Sequence, residues 1–371
     1  MSSSNNNAIV SKASPHTIKK FELIESYVKS WAQKLMQNKY CNGIIFIDCM
    51  CNSGIYRDES GTEVFGTPIR VSRILRDVAG QYPNKKVYVY LNDNSEEKIA
   101  ELKKHLPSEN SNFRYSITTK DGNLLLKEMG GKLSQRKRLH FFLLYDPYDA
   151  SIDWSALAPF FRSWGEVLIN HMVNDSIRAI RQVKSPKAIQ KYEETYLSAF
   201  EVLLPCGSDR TAYEKRVEQI ITSLHSGAGR KYYIASFPFF NSRNSLLYDL
   251  VHCTCHEAGF RLYKSTAWKT FGGKSSIKNT HGDENQLMID FGDQRVKTQC
   301  DECCYYVKDI VDYLQNKFCG QKNIDFDTIW ADLDAHPVFP SDGYKAEIKK
   351  ALKDDYGAKI SRSTISFTDR R

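Results

Sequence analysis

The chain lacks any apolar run long enough to cross a bilayer. The longest, residues 141–145, has the length of a strand, whereas a spanning helix needs roughly 18 to 20 residues. A helical membrane protein is therefore not expected. Cysteine is sparse, ten in 371 residues, and no apolar leader accompanies it. That excludes a disulfide scaffold and leaves reduced thiols in a cytoplasmic protein as the expectation. Excess charge of one sign is also scarce. Fifty-two Lys and Arg stand against 44 Asp and Glu, a net +8, which permits a polyanionic partner without demanding one. There is no internal repeat, and no low-complexity tract beyond the Ser/Asn-rich start, residues 1–13, which reads as a frayed tail.

What is present suits a globular protein. With 41% hydrophobic, 26% charged and 12% aromatic residues, the chain can bury a full core, and its length predicts two to three domains. Ser14-Pro15 opens a helix in which Ile18, Phe21, Ile24, Val28, Trp31 and Leu35 recur at helical spacing. A short apolar strand over 43–47 follows, ending at Asp48, and Thr67-Pro68 starts the next helix. Strands over 87–91, 113–117, 139–145 and 166–170 then alternate with helices over 95–106 and 123–129. Two further strands are predicted over 231–237 and 286–291, with helices over 192–204 and 211–224 before them. Alternation at this spacing means βαβ units and a mostly parallel, seven-stranded, Rossmann-like sheet over residues 14–295.

Chemistry concentrates where the predicted strands end. Asp48-Cys49-Met50-Cys51-Asn52-Ser53-Gly54 places an acidic residue and a turn where Rossmann-type folds hold their ligand. Gly54, and Asn52 after it in aptitude, suit the positive φ that such a turn needs. Asp93 follows the second strand, where a carboxylate accepts ribose hydroxyls. It lies 45 residues beyond Asp48, against the ~20 of a minimal dinucleotide unit, and the segment 55–66 supplies about half of the excess. A helix-capping role is the alternative for it. Asp121, after the third strand, stands where an adenine edge is read, or caps a helix. Asp146-Pro147-Tyr148 closes the fourth strand with a fixed turn that aims a carboxylate at an amino group and offers a ring for stacking. Cys300, Cys303, Cys304 and Cys319 lack the second ligand pair of a structural zinc site, so no metal is expected.

Together these positions, with residues 16–31, Glu166-Val167-Leu168-Ile169-Asn170, Lys231-Tyr232-Tyr233-Ile234-Ala235, Ala267-Trp268-Lys269 and His336-Pro337-Val338-Phe339-Pro340, resemble the three-Cys-motif partner (TcmP) proteins, which are methyltransferase-like. The family usually carries Asp-Gly-Phe-Ala-Gly-Pro-Gly where this chain has Asp48 to Gly54, so Cys49 and Asn52 replace glycines. The resemblance implies a class I methyltransferase-like fold with S-adenosylmethionine over Asp48, Cys49, Asn52 and Gly54, Asp93 on the ribose and Asp121 near the adenine. Asp146, Pro147 and Tyr148 would then orient the methyl acceptor. It also implies a partner bearing a three-cysteine motif related to radical-SAM proteins.

After residue 296 the pattern changes to helices over 303–318, 326–333 and 341–353 and an alternating hairpin over 358–367, the outline of a winged helix. Its third helix carries Lys345, Lys349, Lys350 and Lys353, read either as a solvated face or as a nucleic-acid contact. The expected function is methyl transfer to an amino group of a nucleic-acid base. The alternatives are a non-catalytic, nucleic-acid-binding adaptor that keeps the fold, or a methyltransferase acting on a protein or small molecule.

Overall fold

The computed structural model describes residues 9–133, 138–173, 185–203, 210–226, 231–240, 246–270 and 307–369, together with Ser176 and Ile180. The expected strand over 286–291 and Cys300, Cys303 and Cys304 lie outside these residues.

A short strand, β1 (Ser11–Lys12), precedes helix α1 (Pro15–Gln37). The Ser14 hydroxyl accepts from the Thr17 N–H at 3.4 Å, and Pro15 sits in the first turn. Strand β2 (Gly43–Asp48) is buried along its whole length. The segment after it folds into a hairpin of β3 (Ile55–Arg57) and β4 (Glu63–Phe65), to which β1 adds in parallel. The end of the expected frayed tail is therefore ordered, because Ser11 and Lys12 find backbone partners in Tyr56 and Arg57. Helix α2 (Thr67–Gln81) takes Gly66 as its N-cap, one residue before the expected Thr67.

The remaining units follow in turn: β5 (Lys86–Asn92), α3 (Glu96–Lys103), β6 (Phe113–Thr118), α4 (Gly122–Leu133), β7 (Leu139–Tyr145), α5 (Trp154–Phe161) and β8 (Gly165–His171). Helices Pro186–Tyr196, Phe200–Leu203 and Arg210–His225 come next, then β9 (Tyr233–Phe240), β10 (Leu246–Thr254) and the helix Glu257–Thr270. The seven-stranded sheet has the order β6-β5-β2-β7-β8-β10-β9. All its neighbours pair in parallel except β10, which runs antiparallel to both β8 and β9. This is the expected mostly parallel, seven-stranded, Rossmann-like sheet. Its order reverses between β2 and β7, the switch point where open α/β sheets bind ligands.

One of the seven strands was not anticipated. β10 carries Asp249 and His252, both fully buried, which interrupt its apolar pattern. Burial of His252 is tolerated because its Nε2 lies 2.9 Å from Glu166 Oε2 on β8, and Tyr27 of α1 donates its hydroxyl to that same oxygen.

The alternation along β2 and β7 divides the core. Ile44, Phe46, Phe142 and Leu144 face α1, α2 and the helix Glu257–Thr270, while Ile45, Ile47, Phe141 and Leu143 face α4 and α5. Beyond residue 306 come the helix Val307–Phe318, β11 (Ile324–Asp325), the helices Phe326–Ala335 and Lys345–Tyr356, β12 (Lys359–Ile360) and β13 (Thr364–Ser366). The three strands form an antiparallel sheet in the order β11-β13-β12. The apolar face of this unit is continuous with the α1 side of the main core. Trp268 Nε1 donates to Val338 O at 3.1 Å, and the Arg261 guanidinium reaches Asp342 at 2.8 Å.

At the centre of that contact Lys264 is buried, and its Nζ donates to Leu333 O, Asp334 O and His336 O at 2.9, 3.0 and 2.8 Å. Three protons meet three carbonyls at the end of Phe326–Ala335, where helical carbonyls lack partners. Lys264→Met keeps the stem but takes the donor from Asp334 O and His336 O, while Leu333 O keeps the His336 N–H. It should lower the urea-unfolding free energy by about 3 kcal/mol, and a loss under about 0.5 kcal/mol would mean that water reaches the carbonyls.

Candidate active site at the carboxyl edge of the sheet

Asp48, the last residue of β2, is 2% exposed and accepts from the Met50 N–H at 3.3 Å. The loop after it bends through Asn52 at φ 58° and Gly54 at φ 70°, the two positions singled out in the sequence for a left-handed backbone. Cys49 and Cys51 are buried, Cys49 in the core cluster facing α4 and Cys51 in the one facing α1. Their thiols thus serve as small packing groups, and burial pushes the pKa of both upward. Neither residue therefore fills the loop. Cys49 packs in the core, and Asn52 adopts the conformation that a glycine would supply.

Ile9 to Ser11 lie across this loop. Ser53 donates its hydroxyl to Ile9 O, and Asn52 Nδ2 donates to Ser11 Oγ at 3.1 Å. Asn92, at the end of β5, ties the loop after β2 to the end of β6 and the loop that follows it. Its Nδ2 donates to Cys49 O at 3.0 Å and Lys120 O at 2.9 Å, while its Oδ1 accepts from Thr118 Oγ1 at 2.7 Å. This buried amide was missed in the sequence, although it directly precedes Asp93.

Asp93 is buried. Its Oδ2 accepts from the Asn52 N–H at 3.0 Å and its Oδ1 from the Ser95 N–H at 3.0 Å, so the carboxylate faces the loop and braces the start of α3 at once. Tyr148, 42% exposed, folds over and donates its hydroxyl to that same Oδ2. Its ring lies 4.9 Å from the Lys98 ammonium. A hydroxyl donor thus already occupies the carboxylate expected to take ribose hydroxyls. Asp121 is exposed, and its Oδ1 accepts from the Leu124 N–H at 2.9 Å, which is the helix-capping alternative. It stands at the same edge of the sheet, beside the loop: a Cβ on its neighbour Gly122 would sit 2.7 Å from Cys49 O.

Asp146 lies at the end of β7, followed by the buried Pro147. Its Oδ2 accepts from Lys20 Nζ at 2.7 Å and its Oδ1 from Asn170 Nδ2 at 2.6 Å. Lys20 is only 8% exposed and rises from α1 into the acidic cluster. Neither Lys20 nor Asn170 was given a role in the sequence. The signal for Lys20 was available, since it occupies the buried stripe one helical turn before Ile24. Asn170 Oδ1 is buried without a hydrogen bond among the described residues, an acceptor at the end of β8. Burial, and next to it the negative charge of Asp146, raise the Asp48 pKa to about 8, with a further push from Asp93 and partial relief from Lys20. At neutral pH Asp48 is therefore mainly a protonated, hydrogen-bond-donating group.

The four lysines of the helix Lys345–Tyr356 divide. Lys345 Nζ lies 5.2 Å from the Trp330 ring and Lys349 Nζ 3.7 Å from the Phe326 ring, so both are engaged with aromatic faces. Lys350 and Lys353 are exposed. No helix among the described residues is long and apolar enough to cross a membrane. Among the described residues no His/Cys/Asp/Glu group is placed to hold a metal ion.

No protein-family model and no curated protein matches the chain. Among solved structures it is similar to protein LPL1258 from Legionella pneumophila, at 10% identity and TM-score 0.39, over 68% of this chain and 93% of that one. It is similar to the cyclopropane synthase MmaA2 from Mycobacterium tuberculosis at 9% identity and TM-score 0.26, over 66% and 69% of the two chains. A third likeness is to loganic acid methyltransferase with SAH, at 9% identity and TM-score 0.27, over 72% and 88%. Likenesses of this size carry no functional argument. The fold stands on the strand order.

Folded Asp48 keeps its proton to about pH 8, far above its ordinary value of 3.8. The folded state thus binds an extra proton between those values, and stability falls as pH rises through that window. Asp48→Asn removes the ionisation. Relative to the unaltered protein it should gain at least about 1.4 kcal/mol, one pKa unit's worth, between pH 5 and pH 8.5 in urea unfolding. A pH-independent difference would contradict this account.

Proposed function

We propose that the protein is an S-adenosylmethionine-dependent methyltransferase of the three-Cys-motif partner type, acting on an amino group of a nucleic-acid base together with a three-Cys-motif protein. The observation that carries the reading is the buried Asp93 carboxylate at the end of β5, aimed across the left-handed Asn52–Gly54 turn at a hydroxyl donor, Tyr148. A carboxylate so placed fits a ribose, whose hydroxyls would replace the tyrosine's. The left-handed backbone of Asn52 to Gly54, once the segment Ile9 to Ser11 is displaced from it, fits the rest of the cofactor, with Asp121 near the adenine. When bound, that cofactor supplies an electrophilic methyl group.

The chain's own work is positioning. Asp146, held between Lys20 and Asn170, keeps lone pairs on both oxygens with which to accept from an amino group. Asn170 Oδ1 offers a second acceptor, and Tyr148, once released, offers a ring for a flat acceptor. The helix–strand–helix–helix–hairpin order after residue 306 supports a winged-helix unit over 296–371 beside a methyltransferase unit over 14–295. Within it Lys350 and Lys353 are the candidates for phosphate contact.

The rival reading is a non-catalytic adaptor. It is favoured by the same Tyr148–Asp93 hydrogen bond, which closes the site. Calorimetry separates the two. Micromolar S-adenosylmethionine affinity that Asp93→Ala weakens at least about ten-fold, 1.4 kcal/mol, supports the enzyme. Tyr148→Phe frees the carboxylate and should tighten binding about five-fold, the worth of one ordinary hydrogen bond. No cofactor binding by folded protein, combined with salt-dependent nucleic-acid binding, would establish the adaptor. In that binding, Lys350→Ala and Lys353→Ala should each lower the salt slope by about 1.

A further inference from the structure

We infer that the opposite edge of the sheet carries a second ligand site, shaped for a purine nucleotide. The inference does not depend on methyl transfer. The strands β7 and β8 begin there, at Leu139 and Gly165, far from the Asp48–Asp93–Asp146 cluster at their other ends. A cavity of about 960 Å³ opens between these strand starts, α1 and the start of the helix Glu257–Thr270. That is the upper range of small-molecule sites, about 300 to 1,000 Å³.

Three features of the lining each ask for a different part of one ligand. The first is the carboxyl of Glu166, 5% exposed. Its Oε2 is occupied by Tyr27 and His252, but its Oε1 makes no hydrogen bond among the described residues and borders the cavity. Oε1 passes so close to Gly259 that a Cβ there would stand 2.5 Å away. Only glycine at that position leaves this oxygen in place. That oxygen can be reached from the cavity, and an N–H or amino group on a ligand would match it.

The second feature is aromatic. Trp164, 51% exposed, has its ring 5.7 Å from both His140 and His256, and Trp31 lines the cavity further in. Burial and the neighbouring His256 lower the His140 pKa, so that imidazole stays neutral and able to stack. The third is cationic. Lys34, Arg138 and Arg162 line the cavity and are exposed, and among the described residues none has a carboxylate partner. Arg162 spends only its Nε, on Leu224 O at 2.9 Å.

An apolar ligand would not use the cations, and inorganic phosphate would not use the rings. A purine nucleotide uses all three: amino edge on Glu166, base against Trp164, phosphate on the arginines. The larger base fills the cavity better than a pyrimidine.

The test is calorimetry on the full chain with GMP, AMP, CMP and inorganic phosphate. GMP or AMP should bind with Kd below about 100 µM, and CMP and phosphate at least ten-fold more weakly. The exposed pair Arg138→Ala/Arg162→Ala, checked for folding by circular dichroism, should weaken purine-nucleotide binding at least five-fold, and Asp93→Ala should leave it unchanged. Glu166→Gln, checked for folding by circular dichroism, should weaken it as well. Absence of binding by both purine nucleotides up to about 1 mM, equal binding of CMP or phosphate, insensitivity to the double arginine variant, or loss in Asp93→Ala would each overturn the site.

Discussion

The arrangement at the carboxyl edge depends on one buried cation. Parallel strands bring their ends together, and three of those ends carry Asp48, Asp93 and Asp146. Left to themselves, converging carboxylates in a dry site repel one another and resist burial. The Lys20 ammonium, 2.7 Å from Asp146, supplies the opposite charge, and Asp48 resolves the remaining conflict by holding its proton. The cluster is thus tolerated through one ion pair and one neutral acid.

The same edge is closed by its own chain. Tyr148 donates to Asp93, and the segment around Ile9 to Ser11 rests on the Asn52–Ser53 turn. Both contacts are made by groups near the surface, so they are the parts of the site that a ligand displaces at least cost. The carboxylates and amides beneath them are fixed from several sides. Asn92 shows the pattern: one side chain makes hydrogen bonds to the loop after β2 and to the end of β6 with the loop beyond it.

The two edges of the sheet are joined through β8. Glu166 opens it beside the Tyr27–His252 network, and Asn170, four residues on, reaches Asp146. The two polar residues flank the apolar run Val167, Leu168 and Ile169. Each is held by α1 or by a neighbouring strand, since a polar group buried in such a core survives only with partners.

The sequence by itself determined the βαβ alternation, because continuous apolar runs such as 43–47 require burial on both faces. It also placed the turn residues Asn52 and Gly54, whose conformational freedom is an intrinsic property, and the positions of Asp48, Asp93 and Asp146 at strand ends. It did not reveal β10, where Asp249 and His252 mask the apolar pattern, nor the strand formed by Ser11 and Lys12, which exists only through its pairing with β3. Tertiary structure alone decided that Lys20 and Asn170 meet Asp146, that Tyr148 covers Asp93, and that Lys345 and Lys349 lie on aromatic rings. Those are contacts between residues distant in the chain, and the energy of a charge or a hydroxyl depends on what the fold brings beside it, which local pattern does not encode.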